Sequence, residues 1–107
     1  MPVHNIRSEK ELKDILVDNQ VVIVDFFATW CEMSKTLAPI FVEQSNRDDH
    51  QDILFGKLDV DEVQELATKL GITSTPTFHI YKNGTKVNEY VTPGPQALLQ
   101  FIDGAAK

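Results

Sequence analysis

Cys31 is the only cysteine in the sequence, and its position suits chemistry. It follows a β-branched and aromatic run and opens a stretch with helical spacing. Backbone N–H groups and the dipole at a helix start stabilise negative charge, so a thiol there ionises more readily. The thiolate is the species that attacks a disulfide. The competing reading is a small buried hydrophobe. Asp25 is the second unusual residue, set within Val-Val-Ile-Val-Asp-Phe-Phe-Ala. Strand alternation puts it on the face of Val21, Ile23 and Phe27, where an ionised carboxylate loses hydration and its pKa rises unless a partner compensates. Lys57 is equally out of place in an apolar strand and is the candidate partner. Two readings stay open: proton transfer near the thiol, or a buried structural pair. Thr75-Pro76 precedes a further strand, and a cis bond there is allowed but uncommon for X–Pro in general.

The elements that must position these residues alternate along the chain. Val3–Ile6 reads as a short edge strand. Ser8 and Glu11 have capping-box spacing, followed by Leu12, Ile15 and Leu16 at helical intervals. Val21–Ala28 is apolar on both faces, as a strand covered on both sides should be. From Glu32 to about Asp48, Met33, Leu37, Ile40 and Phe41 form a helical stripe interrupted by Pro39, which removes a backbone donor. Ile53–Val60 reads as a second central strand, and Val63, Leu66, Ala67 and Leu70 as a helix ending at Gly71. Thr77–Lys82 and Thr85–Val91 flank Asn83-Gly84, a strong hairpin signal. Ala97, Leu98, Phe101, Ile102 and Ala105 close the chain as an amphipathic helix. The order β-α-β-α-β-α-β-β-α implies an α/β fold, a mixed central sheet with helices on both faces.

Composition narrows the function classes. The 107 residues make one domain, 1–107, with 42% hydrophobic and 24% charged residues, values of an ordinary globular protein. Sixteen acidic residues against ten basic ones give a net charge of −6, which opposes a nucleic-acid backbone. No apolar run approaches a membrane span. The start, Met-Pro-Val-His-Asn, lacks a secretory pattern, and a single cysteine permits no internal disulfide. His4, His50 and His79 are scattered without zinc spacing, so no metal is expected. Asn83-Gly84-Thr85 has the form of a glycosylation sequon but reads as a turn. The expectation is a small, acidic, cytoplasmic protein.

Val-Asp-Phe-Phe-Ala-Thr-Trp-Cys-Glu-Met-Ser-Lys, followed by Ala38-Pro39, closely resembles the active-site region of the thioredoxins. So do Lys57-Leu58-Asp59-Val60-Asp61, Thr75-Pro76-Thr77-Phe78, Lys82-Asn83-Gly84 and Gly94. The resemblance spans nearly the whole chain and implies a thioredoxin fold without a cofactor. It implies that Cys31 attacks substrate disulfides and that Pro76 is cis and lines a groove with Trp30, Thr75 and Gly94. Glu32 and Met33 then border the substrate, and Asp25 and Lys57 match a buried pair behind the thiol.

The departure is at Cys31-Glu32-Met33-Ser34, where the family has Cys-Gly-Pro-Cys. The attacking thiol is kept and the resolving thiol is replaced by Ser34. A hydroxyl forms no disulfide but can hydrogen-bond a thiolate, while Glu32 places a negative charge beside it. An internal nucleophile reaches effective molarities on the order of 10⁵ M, so without one a mixed disulfide waits for an external thiol. The expectation is one-thiol exchange with protein disulfides or glutathione mixed disulfides, with glutathione as co-substrate or thioredoxin reductase as a partner. A monomer is expected, with a Cys31-linked dimer under oxidation. The alternatives are a groove that binds without turnover, and a dithiol protein carrying an engineered Cys-to-Ser trap at Ser34. Glu32-Met33 also departs from Gly-Pro, which a trap would not require.

Overall fold

A computed structural model describes residues 3–106. Five strands, β1 (Val3–Asn5), β2 (Val21–Phe27), β3 (Ile53–Asp59), β4 (Thr77–Lys82) and β5 (Thr85–Val91), form one sheet in the order β1-β3-β2-β4-β5. β1, β3 and β2 run parallel, whereas β4 is antiparallel to both β2 and β5. The parallel pairs need helical crossovers, supplied by α1 (Glu9–Asp18) and α2 (Glu32–Ser45). α3 (Gln64–Lys69) and α4 (Pro95–Ala105) complete the molecule, in the predicted order with a 3₁₀ turn added at Asp48–His50.

The central strands are buried on both faces, so each face has its own core. Ile23, Phe55 and Phe78 pack with Leu37 and Phe41 of α2 and with Leu98, Phe101 and Ile102 of α4. On the other face Val22, Val24, Phe26 and Leu58 pack with Leu12 and Ile15 of α1 and Leu66 of α3. The predicted Ser8 cap holds, its hydroxyl accepting the Glu11 N–H at 3.1 Å. Asn83 and Gly84 take φ of 53° and 82°, the left-handed pair that a two-residue hairpin requires.

Two expectations shift. α2 ends at Ser45, three residues short of Asp48, because Asp48–His50 closes the tighter 3₁₀ turn. Met33 leaves the buried stripe and is 39% exposed, in the first turn of α2 beside the half-buried Cys31.

Candidate active site

β2 delivers the chain through Ala28 and Trp30 to Cys31, which takes the N-cap position of α2. Its extended backbone, with φ −85° and ψ 119°, ends the strand segment and starts the helix. The free amides of the first helical turn therefore surround a half-buried sulfur. The Cys31 thiol donates to the Thr75 carbonyl at 3.3 Å, a bond that only the neutral form makes. The thiolate has more support. The Thr75 side chain contributes most, then the Ser34 amide, with smaller help from the Ser34 hydroxyl and the Met33 amide. These bonds outweigh desolvation and hold the thiol below its ordinary range.

Ser34 is 3% exposed, and its hydroxyl accepts the Ala28 N–H at 3.4 Å. That bond ties the first turn of α2 back to the end of β2. Glu32 points into solvent and pairs with Lys35 at 3.1 Å. Its charge is thereby shared with an ammonium group instead of resting wholly on the sulfur.

Asp25 is 4% exposed and lies on the sheet face covered by α2, the face of Ile23. Burial raises its pKa to about 7, with Lys57 opposing the rise and Cys31 adding to it. Its Oδ1 has no hydrogen-bond partner. The candidate partner Lys57 stands beside Asp25 without a direct ion pair. The two residues are register neighbours on β2 and β3, yet no Asp25–Lys57 contact reaches ion-pair distance among the described residues, and Lys57 is exposed. Its long stem carries the ammonium out over the Phe27 ring, 5.8 Å from the centroid, where it keeps its hydration.

Around the sulfur, Trp30 is 67% exposed and donates its indole N–H to Asp61 at 2.8 Å. Pro76 is buried, and the Thr75–Pro76 bond is cis. Gly94 caps α4. The structure thus brings Cys31, Ser34 and Thr75 into contact, sets Asp25 beneath α2, and leaves Lys57 at the edge.

Sequence reasoning missed two residues. Asp61 orients Trp30 but lies 31 positions away, and no local pattern links them. Thr92 donates its N–H to the Pro76 carbonyl at 2.7 Å and has φ 45°. A residue before proline is biased towards extended backbone, so nothing local pointed to that conformation. Among the described residues no cluster of three or more His, Cys, Asp or Glu could hold a metal ion, and no helix is long and apolar enough to cross a membrane.

Comparisons with known proteins agree with this geometry. The family description "Thioredoxin" matches residues 3–104. Thioredoxin-1 of Schizosaccharomyces pombe is 41% identical over 100 residues, covering 94% of this chain and 95% of that protein. A solved Plasmodium falciparum thioredoxin superposes with a TM-score of 0.88 at 42% identity, covering 94% of this chain and 97% of that one. A Cys-to-Ser mutant of an Entamoeba histolytica thioredoxin superposes at 0.87 with 32% identity, covering 96% and 99% respectively. A sulfur at a helix start against a Thr-Pro turn, on a five-stranded mixed sheet and matched over nearly the full length, places the chain in the thioredoxin family of thiol–disulfide redox proteins.

Proposed function

We propose that the protein carries out thiol–disulfide exchange with one thiol. Cys31 attacks a protein disulfide or a glutathione mixed disulfide, and an external thiol such as glutathione releases it. The observation that carries this reading is the set of donors around Cys31, together with Ser34 at the position where a resolving thiol would stand. Ser34 steadies the thiolate and cannot displace the bound partner. Trp30, Glu32, Met33, Thr75, Pro76 and Gly94 form the surface that receives the substrate. Asp25 and Lys57 act behind it, Asp25 as a proton-holding group and Lys57 as a moderating charge.

The test compares the protein with Ser34→Cys in insulin-type disulfide reduction driven by thioredoxin reductase. The unaltered chain should fail yet form a mixed disulfide with glutathione at Cys31. Ser34→Cys should gain reductase activity. A folded Ser34→Cys protein that stays inert would show that Glu32 and Met33 alter the site beyond the loss of one thiol.

A further inference from the structure

Trp30 stands next to Cys31 in the chain, and most of its surface is exposed. A ring that large is usually buried for the most part. Here only its edge is fixed, because the indole N–H donates to Asp61 Oδ2 at 2.8 Å. Asp61 is itself held, its backbone N–H donating to Asp59 Oδ1 at 2.9 Å. A hydrogen bond to the indole edge lies near the ring plane and leaves a ring face open. The electron-rich face and the carboxylate at its edge then border one space beside the thiol. Neighbouring charges are engaged elsewhere: Glu32 with Lys35 at 3.1 Å, Glu62 with Arg7 at 3.7 Å, and Lys57 over the Phe27 ring. Among the described residues no lysine or arginine reaches ion-pair distance of Asp61.

We propose that Trp30 and Asp61 form a cation subsite beside the thiol, which selects disulfides flanked by arginine or lysine. This rests on the exchange reading and names its substrate class. A cation over the indole face is attracted by the ring quadrupole, and the same position brings it to the Asp61 carboxylate. Arginine suits the subsite best, since its planar guanidinium stacks on an aromatic ring and its fork matches a carboxylate. A glutamate at that point meets the carboxylate and is repelled. The net charge of −6 adds long-range attraction for a basic segment. Of the two substrates of one-thiol exchange, a basic protein segment is therefore favoured over glutathione, which carries two carboxylates against one ammonium. The exchange step itself is unchanged. The Cys31 thiolate bonds to one sulfur of the disulfide, the old S–S bond breaks, and the other sulfur leaves with the electron pair.

The test uses the full chain and three blocked peptides, each with one cysteine flanked on both sides by Arg, Gln or Glu and carried as its 2-thiopyridyl disulfide. Attack by Cys31 releases pyridine-2-thione, whose absorbance gives the rate constant. Each constant is divided by that of 2-mercaptoethanol with the same peptide, which removes the peptide's intrinsic reactivity. At an ionic strength of about 0.01 M the Arg peptide should react about fivefold faster than the Gln peptide, with the Glu peptide slowest. At about 1 M that preference should shrink by about half or more. Asp61→Asn keeps an acceptor for the indole and removes the charge, so the Arg-to-Gln ratio should fall at least about twofold. A merely structural role would slow all three peptides alike. Asp61→Lys should put the Glu peptide ahead of the Arg peptide. Asp18→Asn makes the same charge change where α1 ends, at the far end of β2 from Cys31, and should leave the ratio where it was. Equal normalised rates in the unaltered chain, an unchanged ratio in Asp61→Asn, or an equal fall in Asp18→Asn overturns the proposal. If all three peptides react at equal rates, one-thiol exchange survives that failure; if none reacts with the folded chain, both readings fall.

Discussion

Replacing Asp25 with Asn should stabilise the protein at alkaline pH and do much less at acid pH. The carboxyl has a pKa of about 7 when folded, against a reference value of 3.8. The folded state therefore binds the proton more tightly, and stability falls as pH rises from the unfolded pKa to the folded one. The full difference is worth about 4 kcal/mol. The penalty is about 1 kcal/mol near pH 4.5 and about 4 kcal/mol near pH 8.5, so their difference is about 3 kcal/mol. Urea unfolding of both proteins at those two pH values measures it directly. Titrating groups that do not interact with Asp25 are common to the pair and cancel, as does any constant cost of the Asn amide; Cys31 and Lys57, which act on the carboxyl, do not cancel fully. The stability of Asp25→Asn relative to the unaltered protein should rise by about 3 kcal/mol across that interval. A pH-independent difference, or a loss of stability at the alkaline point, would refute the reasoning. It would mean that Asp25 is a paired ion, whose partner is left as an uncompensated buried charge on replacement.

Thiolate absorbance should place the Cys31 midpoint below the free-cysteine value of about 8.5. Ser34→Ala should raise that midpoint by up to about one pH unit, because a hydrogen bond to a charged group is lost. Trp30 is the only tryptophan in the chain, so Asp61→Ala should shift its emission as the indole N–H loses its acceptor; an unshifted spectrum would show that the bond does not orient the ring in solution. Thr92→Gly should stabilise the protein by about 1 kcal/mol, since a β-branched residue at positive φ is strained where glycine is not. Thermal melting checks the sign.

The fold was largely legible because each element carries its own physical signature. Ser8 before the Leu12 and Ile15 periodicity, the two-sided apolar run Val21–Ala28, and Asn83-Gly84 each act locally. Cys31 was legible for the same reason, standing where a strand signal gives way to a helical one. Asp25 was legible as a polar residue in an apolar strand. Its missing partner was not, because register pairs Asp25 with Lys57 but does not fix where a four-carbon stem ends. Asp61 and Thr92 were illegible because their roles arise from tertiary contacts with Trp30 and Pro76. Ser34 could be read as the missing thiol, but its bond to the Ala28 amide required the structure.

One-thiol exchange predicts turnover, and turnover can be measured directly. A glutathionylated test peptide is mixed with glutathione and a substoichiometric amount of the protein, and peptide release is followed by mass. Release should be many times faster than with glutathione alone, continue past one equivalent of protein, and vanish with Cys31→Ser. Release that stops at one equivalent, or a rate no greater than that of glutathione alone, would contradict one-thiol catalysis and leave a groove that binds without turning over.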